Sequence, residues 1–448
     1  MPYIPHTNKD ISEILKAVGA SSIEELLSHL PAALRIKAPL NLPKGLSEQE
    51  LTGVLKALGK ENSTVEEYSS FLGAGAYNHY IPAAVNNLIL RSEFYTSYTP
   101  YQPEISQGTL QAIFEYQTLV CQLTGMDVSN ASLYDGASAV AEAVLMAKRL
   151  TGKEKIYLSS ALHPEYRETV KTYLKGSGDH LFEVAYDAKT GSTLPETVNA
   201  VTGDDPACVV VQHPNFFGSL EDLEKISEII HKKNGLLIVV VNEAVSFGLL
   251  KPAGELGCDI VVGENQSFGN TLSYGGPYLG FMATKTEFIR QMPGRIIGQT
   301  VDKQGKRAFC LTFATREQHI RRERATSNIC TNHGLCALAA SIHMVAIGST
   351  GLQRLARLNL SKAEYLKEKL KGVEGAEVAF SAPTFNEFTI KLAKDPEEAL
   401  KKLLKKRIMG GVSLKRFYPE LGNHILVAAT EMNSKEAIDA FADELAQA

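Results

Sequence analysis

The densest run of reactive side chains lies between Phe94 and Gly108, which reads Phe-Tyr-Thr-Ser-Tyr-Thr-Pro-Tyr-Gln-Pro-Glu-Ile-Ser-Gln-Gly. Tyr95, Tyr98 and Tyr101 recur at every third position, Gln102 and Glu104 follow, and Pro100 and Pro103 restrict the backbone between them. Such a segment presents phenols, an amide and a carboxylate on a stiff support, which is equipment for holding a small polar substrate. The plainer reading is a structural loop packed on a sheet. Four further points lie where a strand gives way to a loop. Asp135-Gly136-Ala137 opens a helix whose free N–H groups suit a phosphate as well as they suit an ordinary capped turn. His163 stands before Pro164 at a helix start, placed to stack on a flat ligand, to carry a proton, or simply to cap. Gln212-His213-Pro214-Asn215 would add an amide and an imidazole to the same cleft, and Glu243 follows the most apolar strand, where a carboxylate can reach a ring nitrogen.

An alternating α/β frame is what would position these groups. Periodicity predicts helices over Gln107 to Thr124, Ala137 to Thr151, Pro164 to Leu174 and Leu220 to Lys233, alternating with strands over Lys155 to Ser159, Cys208 to Gln212, Gly235 to Val241 and Ile260 to Val262. Strands as continuously apolar as Cys208-Val-Val-Val-Gln212 belong to a mostly parallel sheet covered on both faces, which binds ligands at its carboxyl ends. After Asn332 a long helical stretch (His333 to Ile347, then Gly351 to Leu370) leads to strands over Glu377 to Phe380, Glu387 to Leu392 and His424 to Ala429. Short amphipathic helices, Asp10 to Val18 and Ser22 to Leu30, precede a proline-punctuated stretch at 31–43. The expected division is a helical N-terminal arm at 1–60, a large domain at 61–332 and a smaller C-terminal α/β domain at 333–448.

Bulk properties exclude more than they assign. The 448 residues are 44% hydrophobic and 21% charged with a net charge of -4, so nothing marks a nucleic-acid or membrane surface. The six cysteines lack close pairs and read as reduced thiols rather than a zinc site or disulfide framework. The amino terminus shows no targeting signal, and no stretch reads as the roughly 20 apolar residues of a membrane span, so the cytoplasm is the expected location.

Tyr98-Thr-Pro-Tyr-Gln-Pro-Glu-Ile-Ser-Gln-Gly108, Tyr134-Asp-Gly-Ala137, Gly275-Gly-Pro277 and Arg324-Ala-Thr-Ser-Asn-Ile-Cys-Thr331 together resemble the P-protein family of the glycine cleavage system. The resemblance covers essentially the whole chain. It implies the fold of type I pyridoxal-phosphate (PLP) transferases and the activity of glycine dehydrogenase (aminomethyl-transferring). In that reaction PLP forms a Schiff base with glycine, CO2 is lost, and the aminomethyl group passes to the lipoyl arm of H-protein. Many bacteria divide this enzyme between two homologous subunits, and the length here fits one half.

The family's catalytic half carries its Schiff-base lysine in a His-Lys-Thr-Phe pattern after the strand that follows a Gly-Cys-Asp-Ile-like segment. Gln266 occupies about that place here, and an amide cannot form an imine. The resemblance therefore implies the alpha subunit (subunit 1), with PLP bound covalently by the homologous subunit 2 of an α2β2 assembly. On this reading Tyr95, Tyr98, Tyr101, Gln102 and Glu104 position glycine or its quinonoid intermediate in the partner's site. Ser327, Asn328, Thr331 and Asn332 belong to the same interface near the cofactor phosphate, while Asp135, Gly136, Ala137, His163, Glu243 and Gln266 form a vestigial cleft. Two alternatives stay open: a self-sufficient PLP enzyme using Lys251 or Lys285, and a non-catalytic scaffold or regulatory subunit.

Overall fold

The structure is a computed structural model that describes residues 5–36, 40–97, 99–176, 180–329 and 333–447. Tyr98, Thr331 and Asn332 lie outside the described residues. The chain divides into two compact units, 1–63 and 64–448.

The first unit carries helices Asn8–Val18, Ile23–Leu26 and Glu48–Gly59. Thr7 with Asp10 and Ser47 with Glu50 form reciprocal capping boxes that satisfy the first N–H groups of two of them. The helix expected over Ser22 to Leu30 is a single turn ending at Leu26, whose carbonyl is bonded to His29 Nδ1. None of these helices buries a side chain.

The second unit is built on a seven-stranded sheet: β1 (Val128–Ser129), β2 (Lys155–Ser159), β3 (His180–Val184), β4 (Pro206–Gln212), β5 (Leu236–Val241), β6 (Ile260–Glu264) and β7 (Gly280–Thr284). The order is β1-β7-β6-β5-β4-β2-β3, with β6 through β3 parallel and β7 antiparallel to β6. Alternate residues of each strand enter two different cores. Val209, Val211, Val239 and Val261 pack with Tyr116 and Ile226. Val210, Ile238 and Val262 pack on the other face against helices Gly136–Thr151 and Pro164–Leu174. Burial on both faces is what makes these strands continuously apolar and therefore readable in sequence. Periodicity does not predict β3, because its His-Leu-Phe-Glu-Val sequence lies at the sheet edge with most of its side chains at least partly exposed.

A four-stranded antiparallel sheet follows, in the order Ala376–Val378, Glu387–Leu392, His424–Ala428 and Val412–Ser413. Its core joins Phe388 and Ile390 to Leu403 and Phe441. Helix Gly334–Leu370 serves both sheets, giving Ala337, Ala340 and Ala356 to the first core and Ala363, Leu366 and Leu370 to this one. Gly348, at φ 61° and ψ 176°, breaks it where the sequence predicts a gap between two helices. By length and composition this helix is apolar enough to cross a membrane, a feature the sequence reading does not pick out; its small apolar residues instead pack into the two cores.

Candidate functional site

Segments that are distant in sequence meet at one cavity of about 300 Å³, walled by Phe94, Ser97, Thr99, Pro277 and His333. The tyrosine-rich segment approaches from the start of helix Gln107–Thr124, and Pro277 enters through the loop leading into β7. His333, the residue before helix Gly334–Leu370, is bonded through Nδ1 to the Tyr278 carbonyl at 2.6 Å, and its ring lies 5.8 Å from that of Tyr134. Three of the sequence motifs thus reach this cavity or the histidine that lines it, and the fourth ends just before that histidine.

Tyr95, Tyr101, Gln102 and Glu104 are exposed, and none of the four is among the residues that wall the cavity. The Tyr101 hydroxyl accepts a hydrogen bond from Arg295 at 3.0 Å, and the guanidinium stands 5.3 Å above its ring. Ser327 is half-buried, accepts from the Ile329 N–H at 3.0 Å and is hydrogen-bonded to the buried Glu142 carboxyl, whose pKa burial raises. Asn328 is exposed.

The second group gathers at the carboxyl ends of β4, β5 and β6. His163 caps helix Pro164–Leu174: its Nδ1 accepts from the Glu165 N–H at 3.2 Å, which leaves Nε2 to donate to the Ala74 carbonyl at 2.9 Å. Its ring stacks on Tyr166 at 4.6 Å, and burial lowers its pKa. Glu243 accepts four hydrogen bonds, from His79 Nε2 at 3.0 Å, Asn386 Nδ2 at 2.9 Å, Ser267 Oγ at 2.9 Å and the Val245 N–H at 2.9 Å. His79 is also bonded through Nδ1 to Glu431 at 2.9 Å. Burial works against a charge on His79, yet Glu243 and then Glu431 override it and raise its pKa to about 10. Gln266 accepts from the Tyr77 N–H at 3.0 Å and donates to the Asn270 carbonyl at 2.7 Å.

Asp135 forms a capping box with Ser138, so the capped-turn reading of this motif holds. The Gly136 N–H at the same helix start donates to the buried Glu264 carboxyl at 3.0 Å, whose other oxygen accepts from the Leu279 N–H at 2.6 Å. Burial pushes Glu264 up to about 8, and Glu387 likewise, while Glu387 accepts from the Ala74 N–H at 2.6 Å and the Tyr77 hydroxyl at 2.8 Å.

Asp135, Gly136, His163, Glu243 and Gln266 are thus brought together, with the half-buried Ala137 beside Gly136. Asn215 is not part of that cleft: its amide donates to the Gly191 carbonyl and to Glu221, a local structural role. Lys285 pairs with Asp259, where β6 begins, at the opposite end of the parallel strands, and Lys251 is exposed. Sequence reasoning missed the 73–79 loop and Glu264. The signal for Glu264 was present, since it ends an apolar strand just as Glu243 follows one.

The sequence profile described as glycine cleavage system P-protein matches residues 1–445. The probable glycine dehydrogenase (decarboxylating) subunit 1 of Desulfitobacterium hafniense is 52% identical over 98% of both chains, and that of Carboxydothermus hydrogenoformans is 51% identical over the same shares. The crystal structure of a glycine decarboxylase (P-protein) of the glycine cleavage system in inhibitor-bound form superposes with a TM-score of 0.92, at 42% identity over 100% of both chains. A sphingosine-1-phosphate lyase of Burkholderia pseudomallei shares the fold at 14% identity, with a TM-score of 0.65 over 93% of this chain and 94% of that one.

Proposed function

This chain belongs to the glycine cleavage system P-protein family, and from that premise we propose that it works in the cytoplasm as subunit 1 of a two-subunit glycine decarboxylase. The enzyme decarboxylates glycine and passes the aminomethyl group to the lipoyl arm of H-protein. The electron sink for loss of CO2 is PLP, held covalently by subunit 2, because the stretch Asn265-Gln266-Ser267 of this chain offers no amine. The observation that carries the reading is full-length identity near 50% to proteins named as subunit 1, joined to the meeting of three of the family's motifs at one cavity or at the histidine that lines it.

This chain's own part is positional. Phenols and the Gln102 amide on a proline-stiffened segment hold a carboxylate in one orientation and keep water from the reacting carbon, at little entropic cost because the backbone is already restricted. Exposure of Tyr95, Tyr101, Gln102 and Glu104 in the isolated chain suits groups that complete a neighbouring subunit's site. Co-expression with the lysine-bearing homologue should yield glycine-dependent exchange of labelled CO2, with neither chain active alone. Exchange catalysed by this chain with PLP, and borohydride trapping at Lys251 or Lys285, would return the self-sufficient enzyme.

A further inference from the structure

We infer that the cleft at the carboxyl ends of the central strands is liganded from within: His79 stands where the fold would hold a pyridine nitrogen, Glu264 where it would hold a phosphate, and the cleft takes no phosphorylated pyridine at all. The inference is independent of the missing lysine. A lysine is needed only for an imine; a pyridine phosphate can still sit in a cleft by its ring, its ring nitrogen and its phosphate. Each of those three positions is taken here by the chain itself.

The ring nitrogen of such a cofactor is held by a carboxylate. Glu243 is buried at the right place, after β5, but a carboxylate has about four lone-pair positions and all four of its hydrogen bonds are made within the chain. The partner that most resembles a protonated ring nitrogen is His79, an imidazole held between Glu243 and Glu431. The phosphate of such a ligand sits at a helix N-terminus. Here the Gly136 N–H is given to Glu264, and the space beside it is closed by Tyr166: a Cβ built on Gly136 would lie 2.4 Å from the phenol oxygen.

The plane of the ring is taken by backbone. A Cβ built on Gly75 would lie 3.2 Å from His163 Cδ2 and 3.5 Å from Asn242 Nδ2, so the chain passes against the face that a flat ligand would use. Asn242 is buried, and neither its amide nitrogen nor its oxygen has a hydrogen-bond partner among the described residues, but Gly75 leaves no room there for a ring. The 73–79 loop is fastened at several points: Ala74 to His163 and Glu387, Tyr77 to Gln266 and Glu387, His79 to Glu243 and Glu431. Tyr77 and His79 are 2% and 7% exposed, so displacing them would uncover two buried carboxylates at once. These anchors come from both sheets, so the plug also ties the smaller sheet to the larger one.

Pyridoxamine 5'-phosphate is the discriminating probe, because it has no aldehyde and needs no lysine. Titrated calorimetrically into the wild-type chain at millimolar concentration, it should give no saturable heat and no shift of the unfolding midpoint. Saturable micromolar binding that Glu243→Gln abolishes would overturn the inference while leaving the subunit assignment intact. In the co-expressed complex, bound PLP should titrate to one per pair of unlike chains, and two per pair would overturn it. The Gln266→Lys variant places an amine at the cleft; borohydride reduction with PLP should leave that introduced amine unmodified if the plug is in place. Recovery of phosphopyridoxyl-lysine at this position in good yield would sink the idea.

Discussion

At the scale of single residues, His79 carries the largest local stake. Its one positive charge is shared between Glu243 and Glu431 in a largely buried cluster, and removing one partner of a buried ionic cluster costs about 3–5 kcal/mol. His79→Gln should therefore lower the unfolding free energy measured in urea by that amount at pH 7, whereas a change within about 0.5 kcal/mol would be that of an ordinary surface substitution and would remove the cluster from the account. Its pH dependence has a definite sign. The folded pKa of about 10 lies above the ordinary 6.5, so the stabilisation is complete below pH 6.5 and is lost as pH rises through 10. On the tyrosine segment, Tyr98→Phe in this chain should slow CO2 exchange by an unaltered partner on the order of tenfold or more, the effect of one lost transition-state hydrogen bond. Equal rates in an intact complex for wild type and the Tyr95→Phe/Tyr98→Phe double variant would make the segment packing and favour a scaffold.

At the scale of elements, the long helix is the joint of the second unit. Gly348 sits at φ 61° and ψ 176°, a conformation that side chains adopt only under strain, and a Cβ built there meets nothing within 4 Å. The cost of Gly348→Ala is therefore a backbone cost, about 1–3 kcal/mol by thermal unfolding. An unchanged midpoint would show that the break can relax into continuous helix. The sequence placed this break correctly from Gly348-Ser-Thr-Gly351, because glycine clusters are local signals. It did not show that one helix gives successive stretches to two cores, since periodicity reports that a face is buried and not against what.

At the scale of the whole molecule, buried carboxyls set the pH window. Burial raises Glu264, Glu387 and Glu221 to about 8 from an ordinary 4.5, so the folded state holds protons that the unfolded chain has released. Their contribution is complete below pH 4.5 and is lost as pH rises through 8, in the same direction as that of His79. Glu431 is opposite: burial would raise it, but His79 holds it at about 2, so its contribution is lost only as pH falls from 4.5 through 2. Unfolding midpoints measured by circular dichroism should thus be higher at pH 6 than at pH 9, and a rise between those values would contradict the buried-carboxyl assignment. The assembly prediction belongs to this scale as well. Co-expressed with its homologous partner, the chain should elute as one α2β2 species by size-exclusion chromatography with light scattering; separate elution at micromolar concentration would defeat it.

What the sequence determined by itself was whatever is written in contiguous residues. The parallel strands β2, β4, β5 and β6 were legible because both faces of each are buried, and the family resemblance was legible because its motifs are unbroken runs such as Tyr98 to Gly108. Asp135, His163 and Glu243 could be nominated for the same reason, each marking the end of a strand or the start of a helix, and Gln266 through its place in the family's pattern. Their neighbours could not. His79 reaches Glu243 across 164 positions and Tyr77 reaches Glu387 across 310, and neither pairing leaves a periodic trace in the chain. Only tertiary packing decided that the loop at 73–79 would lie across the strand ends, and so whether those residues form an open cleft or one filled by the protein's own imidazole and carboxyl groups.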